Sequence, residues 1–305
     1  MRKAKVTVPA VSTNLGPGVE SLSLALALHV TATFVERSDT RLVIETVGED
    51  SADLTPDCLH PVMYAAVRVF QRLEDAPLGL RLVVRNNIPL GAGLGAEAAM
   101  TVAGLVGANN LMDMALSRED LITMGAEIVG RPDAVVAAML GGLTLCGSGG
   151  QGVLYRRVEV GTIRVVVVAP QIAGGSGGAI TAPGEVALAD AVYNLGRLGL
   201  VVDALREGDF ELLGRALDDR LLTPHVGKAI PGFGAAVKAA REAGAVGVSV
   251  CGRGPALLAF ALYNHRRVAS AMEAAFAVQG LAARSWTLAV DTQGVVVSAA
   301  ETIPS

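Results

Sequence analysis

Aromatic side chains are scarce in this chain of 305 residues, at 4%. A core with so few rings has to be filled by alanine, valine and leucine. The hydrophobic share of 51% supplies enough of them for one large domain or two closely packed lobes. Cysteine is nearly absent. Cys58, Cys146 and Cys251 are far apart, odd in number and never paired as C-x-x-C, which argues against a disulfide framework or a zinc site and fits a reducing cytoplasm. There is no excess of positive charge. A formal net charge of −4 gives no field to attract a phosphate backbone, so nucleic acid is excluded as a partner. No apolar run reaches the roughly 18 residues that a membrane-crossing helix needs, so no membrane association is expected. The basic start, Met1-Arg2-Lys3, is separated from the apolar run Leu22 to Leu28 by a loop with Asn14, Gly16, Pro17 and Gly18, which is not the layout of a secretory signal.

Lysine is missing between Lys5 and Lys228, and this removes the Gly-Lys-Ser/Thr phosphate loop of P-loop nucleotidases. Glycine, in contrast, is abundant at 36 residues. Its most concentrated early use is Pro89-Leu90-Gly91-Ala92-Gly93-Leu94-Gly95. This loop follows a β-type run at Leu80 to Val84 and opens into a helical segment from Ala96 to Asn109.

Elsewhere, strand patterns read at Ala4 to Val8, Ala25 to Val35 and Arg41 to Val47, and helices at Val62 to Leu73 and from Ser117 to Val129, closed by Gly130. Another helix starts at Asp133. After Gln151 the pattern changes to a strand at Val165 to Val168 and a glycine run from Gly174 to Gly178. Helices then read at Val186 to Glu207, Phe210 to Asp219, Gly232 to Ala243 and Arg267 to Val278, with strands at Val246 to Val250, Ala256 to Phe260, Ser285 to Val290 and Gly294 to Ser298. The order describes an α+β protein of two lobes, 1–155 and 156–305.

Three readings compete for the glycine loop. Gly91-Ala-Gly93-Leu-Gly95-Ala96 satisfies a dinucleotide fingerprint, but the acidic residue about twenty positions on, Asp113, trails a helix where that fold needs a strand end. A glycine turn that only packs a helix on a strand is the second reading. The third is a phosphate cradle: successive N–H groups at a helix start, without Cβ atoms in the way, favour an anion.

Two further segments accompany the loop, Val8-Pro-Ala-Val-Ser-Thr-Asn14-Leu-Gly-Pro-Gly18 and Cys251-Gly252-Arg253-Gly254-Pro255. In this order the three resemble the motifs of the galactokinase, homoserine kinase, mevalonate kinase and phosphomevalonate kinase (GHMP) superfamily. Gly130-Arg-Pro-Asp133, Asp219-Arg220-Leu221, Ile230-Pro-Gly-Phe233 and Asp291-Thr-Gln-Gly294 bring it nearest to the homoserine kinase family. The resemblance implies a ribosomal-protein-S5-like N-terminal lobe and a ferredoxin-like C-terminal lobe. It also implies γ-phosphoryl transfer from MgATP to the hydroxyl of homoserine or a related small alcohol, a step of threonine biosynthesis, and is compatible with a homodimer. Carried over position by position, it places ATP on Pro89 to Gly95 with Ala96, Glu97, Ala98 and Ala99. The acceptor falls beside Asn14, Glu20, Asp133, Gly252, Arg253 and Gly254, with Asn14, Glu20 and Glu127 as catalytic positions and Mg²⁺ on Glu127 and Glu97.

Several positions depart from the family pattern. Gly95-Ala96-Glu97-Ala98 stands where hydroxyls are usual, and a carboxylate about 4 Å from a phosphate costs several kcal/mol unless a cation lies between them. Either Glu97 binds magnesium or ATP binding is impaired. Glu127 reads either as the metal ligand or as a solvated helix residue. Ala134 replaces an asparagine and Arg131 a histidine. Ala179 and Val226 stand where arginines grip an amino-acid carboxylate, and Arg253 is a cation the family pattern lacks. The alternative to an active kinase is a weak or inactive relative with a binding or regulatory role. Cys251 and the histidines His29, His60, His225 and His265 read as structural.

Overall fold

The computed structural model describes residues 1–149, 152–172 and 183–298, and its side chains except that of residue 148. The expected glycine run at Gly174 to Gly178 and the Ala179 position lie outside them.

The first lobe is a seven-stranded sheet among the described residues. Its main path runs β11 (Val296–Ser298), β1 (Lys3–Ser12), β2 (Leu22–Arg37), β4 (Gly79–Asn86) and β3 (Leu42–Gly48). β3 and β4 are parallel neighbours joined through α1 (Pro61–Leu73), and the other pairs are antiparallel. β2 outruns β4, and its first residues pair instead with β5 (Leu143–Ser148), which continues into β6 (Val153–Val158). Pro9 has no N–H to give the ladder, and the β1–β2 register shifts between Pro9 and Ala10.

Against this sheet lies α2 (Ala96–Leu111), a helix of 16 residues that is apolar on every side, with only Glu97 and Asn110 not buried. A helix without a polar face has to be enclosed. α1, α3 (Arg118–Val129) and α4 (Pro132–Leu140) pack around it.

The second lobe orders its strands β10 (Ala283–Ala289), β7 (Arg164–Pro170), β9 (Leu257–Phe260) and β8 (Gly247–Val250). α5 (Leu188–Glu207), α6 (Phe210–Ala216), α7 (Thr223–Ala229) and α8 (Phe233–Glu242) lie between β7 and β8 in the chain, and α9 (His265–Val278) between β9 and β10. That is the ferredoxin-like arrangement. Alternation along β7 explains how the lobes join. Val166 and Val168 point into a core closed by Ala236, Ala240, Val268 and Phe276, while Val165 and Val167 belong to the large core that also contains α2 and the first sheet. A strand buried on both faces reads as an unbroken valine run, as this one does.

The β5–β6 hairpin and α7 were not anticipated. The helix expected over Phe210 to Asp219 ends at Ala216, because Asp219 serves the next turn: its carboxylate accepts the N–H groups of Leu221, Leu222 and Thr223.

Candidate active site

β1 runs out into a turn that reaches the second lobe. Asn14 sits there with φ 59, a left-handed backbone that asparagine tolerates, and its side chain is buried. Its Nδ2 donates to the Gly252 carbonyl at 3.0 Å and its Oδ1 accepts the Glu20 N–H at 2.7 Å. Gly252 N–H donates in return to the Thr13 carbonyl at 2.9 Å, and Gly16 N–H donates to Ser249 Oγ at 2.9 Å.

The glycine loop is held between these two segments. Val11 N–H donates to the Leu94 carbonyl and Ala256 N–H to the Ala92 carbonyl. Only glycine fits the contact: a Cβ on Gly93 would lie 2.0 Å from the Cys251 oxygen, and one on Gly254 would lie 2.3 Å from the Gly93 nitrogen. The three motifs are therefore one packed unit. Gly95 caps α2 in the left-handed conformation without a side-chain bond, and the N–H groups from Gly91 to Ala98 donate to no acceptor among the described residues. A run of free donors at the positive end of a 16-residue helix is chemically suited to phosphate.

Ala96 is buried and brings no hydroxyl to the loop. Glu97, one residue on, is exposed and forms no ion pair or hydrogen bond among the described residues. The carboxylate fits a phosphate neighbour only with a cation between them. On the outer flank of the loop, Leu90 N–H donates to Asp50 at 2.7 Å. A cleft of about 260 Å³ opens there, lined by Pro89 to Ala92, Gln171, Arg284 and Trp286. Arg284 is neutralised by a two-fold hydrogen bond to Glu49, both distances 2.8 Å.

Two arginines meet at the first motif. Arg131 grips the buried Asp133 with its whole fork, Nε to Oδ1 at 3.0 Å and Nη2 to Oδ2 at 2.8 Å, and Nη2 also reaches Thr13 Oγ1 at 3.1 Å. Burial alone would disfavour the Arg131 charge, but Asp133, helped by the field of Glu20, outweighs it and holds the guanidinium above its usual range. Arg253, from the third motif, makes a close ion pair with Glu20, whose φ of 53 is unusual for a glutamate.

Asn194 on α5, a residue that sequence reading missed, joins the first motif to the Asp219-Arg220-Leu221 segment. Its Nδ2 donates to the Pro17 carbonyl at 3.2 Å and to Asp219 at 2.7 Å. Asp291 acts as a second tie, with its carboxylate bonded to His29 Nε2 at 2.7 Å and to the N–H groups of Gln293 and Gly294. Burial pushes the Asp291 carboxyl up, and these partners more than reverse it, leaving it below its ordinary range.

Other expected residues lie apart. Glu127 is exposed on α3, where it lines a hollow with Arg68, Arg72, Glu119 and Thr123 that no glycine-loop residue borders. Val226 is fully buried in the second core, so its position is filled by packing and is not open to a ligand. Ala134 is likewise buried. Burial pushes the Cys251 thiol up to about 12, which agrees with a structural cysteine. Among the described residues no group of three acidic, histidine or cysteine side chains forms a metal cage, and no helix is long and apolar enough to cross a membrane.

The model of the GHMP kinases N terminal domain matches residues 61–142, and that of the GHMP kinases C terminal domain matches residues 201–278. The chain is 37% identical over 297 residues to the homoserine kinase of Moorella thermoacetica, covering 96% of this chain and 99% of that one. It is 34% identical over 292 residues to the homoserine kinase of Microchaete diplosiphon, covering 95% of each. Among solved structures, the homoserine kinase of Cytophaga hutchinsonii superposes with a TM-score of 0.86 at 26% identity, over 97% of both chains. The mevalonate kinase of L. major, at 14% identity and a TM-score of 0.66, shares the fold. The free N–H groups of the glycine loop, the packing of three motifs around Asn14 and these likenesses lead to one family: the chain belongs to the homoserine kinases of the GHMP kinase superfamily.

Proposed function

We propose that the chain transfers the γ-phosphoryl group of MgATP to the side-chain hydroxyl of homoserine, a step of threonine biosynthesis. The observation that carries the reading is the row of free N–H groups from Gly91 to Ala98, packed directly against the third motif and bridged to Asn14. In this reading the loop and the α2 N-terminus hold the phosphates, and the acceptor lies over the Asn14, Glu20 and Arg253 cluster.

When bound, the nucleotide supplies the phosphoryl group, and Mg²⁺ supplies charge neutralisation at the phosphate oxygens. In this reading Glu97 would hold the metal, which is supported by a carboxylate that is exposed and pairs with no cation among the described residues. Asn14 orients the Glu20 backbone and the Gly252 carbonyl, so the acceptor side and the phosphate side share one fixed frame. Phosphoryl transfer depends mainly on positioning and electrostatics, and no dedicated strong base is needed. The test is ADP release by purified protein with MgATP and homoserine, threonine, pantoate or mevalonate, alongside calorimetry of nucleotide binding. Turnover with homoserine well above the other alcohols is expected; absence of ATP binding at millimolar concentration overturns the reading.

A further inference from the structure

The two arginines of the site differ in how much of their hydrogen-bonding capacity the protein uses. Arg131 spends Nε and Nη2 on the two oxygens of Asp133, a completed carboxylate fork, and Asp133 is only 1% exposed. Arg253 uses the same Nη2 position on Glu20, but its Nε is buried and has no acceptor among the described residues. A buried, unsatisfied guanidinium N–H is costly, and a planar carboxylate is the group that fills Nε and Nη2 together. The partner that Arg253 does have can leave: the Glu20 side chain is 51% exposed. Arg253 is also flanked by Gly252 and Gly254, which touch Asn14 and Gly93, so a group held on its fork lies next to the glycine loop.

We propose that Arg253 is the carboxylate-binding residue of the acceptor site, with the Arg253–Glu20 pair as its resting state. The acceptor carboxylate takes Nη2 as Glu20 leaves and reaches Nε as that movement uncovers it, and the displaced Glu20 carboxylate faces the acceptor ammonium. The two charges of one zwitterion exchange for the two partners of one ion pair, and no net charge is left uncompensated. This assignment explains why a chain with a packed valine at position 226 retains an amino-acid site. It rests on the reading of the acceptor as an α-amino acid that carries a hydroxyl.

The experiment is calorimetry of homoserine binding to the full chain in the presence of a non-hydrolysable ATP analogue, with turnover measured separately. The wild type is compared with Arg253→Ala and Arg253→Lys, and homoserine with propanolamine, the same amino alcohol without its carboxylate. Arg253→Ala is expected to weaken homoserine by about 30-fold or more, the loss of a charge-assisted pair, and not to weaken propanolamine, whose ammonium meets a Glu20 carboxylate no longer held by Arg253. Arg253→Lys, which keeps the charge but loses the fork, falls between. Equal weakening of homoserine and propanolamine marks a merely structural ion pair and overturns the assignment. Unchanged homoserine binding in Arg253→Ala, or no homoserine binding to the wild type, overturns it as well. If homoserine binds and depends on Arg253 yet no ADP appears, the assignment stands and the kinase reading fails.

Discussion

The Asn14 side-chain amide donates to the carbonyl of Gly252, 238 positions away, at 3.0 Å. This bond joins the two lobes at the point where all three motifs meet. Removing it in Asn14→Ala orphans a buried carbonyl and the Glu20 N–H together, and leaves alanine in a left-handed backbone. Stability is expected to fall by about 1–3 kcal/mol, read by urea unfolding. Turnover should fall by about 100-fold, the scale of a misplaced reacting group. An active variant with wild-type kcat removes Asn14 from the site.

The close approach of the glycine loop to the third motif makes a second prediction. In Gly93→Ala the new methyl would lie 2.0 Å from the Cys251 oxygen at a φ of 90, so the loop has to lift away from the third motif. A loss of at least about 2 kcal/mol and of measurable ATP binding is expected. Gly234→Ala is the control. No heavy atom lies within 4 Å of its added Cβ, and the helix position should gain about 0.5–1 kcal/mol. Similar effects at both positions would show that the Gly93 contact is unimportant.

Most of the frame of this site was legible in the sequence because it is written in contiguous segments. Loop, helix start and third motif each announce themselves by glycine and proline, and the valine run of β7 by its lack of polar residues. What escaped depends on pairs far apart in the chain. Asn194 meets Pro17 and Asp219 through folding alone, and no local pattern marks it. α7 was missed because its start is capped from Asp219, four residues before Thr223, and the β5–β6 hairpin because its register is set by β2. Glu127 is a metal position by family resemblance alone, and in the fold it lines a hollow with Arg68 and Arg72 of α1.

Glu97 gives the metal prediction. If its carboxylate holds Mg²⁺ beside the phosphates, Glu97→Ser should raise the Mg²⁺ concentration for half-maximal turnover by at least about tenfold, a loss that even an outer-shell partner can produce. Tighter ATP binding in the variant, measured by calorimetry with and without Mg²⁺, would instead mean that Glu97 repels the nucleotide and holds no metal.

His60 makes stability depend on pH. It is fully buried at the start of α1, where Nδ1 accepts the Val62 N–H and Nε2 meets Thr46 Oγ1 at 3.1 Å. Burial holds its pKa below the usual value, against a smaller opposing field from Asp57. The folded state therefore resists protonation that the unfolded chain accepts. Its contribution is fully present above the unfolded value of about 6.5 and is lost as the pH falls from there through the lower folded value. His60→Asn keeps a cap acceptor and cannot charge, so its unfolding free energy should vary less between pH 7 and pH 5 than that of the wild type.

Val226 tests whether the site can be returned to the family pattern by one change. It is fully buried among Val166, Val168, Leu222 and Ile230, and α7 offers its side chain to that core. Val226→Arg therefore puts a guanidinium into apolar packing without a carboxylate provided for it. The expected result is a loss of about 3–5 kcal/mol by urea unfolding, with no gain in homoserine affinity. The carboxylate grip cannot be restored at position 226 because the space it needs is occupied. A stable Val226→Arg protein with tighter homoserine binding would show that this pocket is open, and that Arg253 is not the sole cation available to the acceptor.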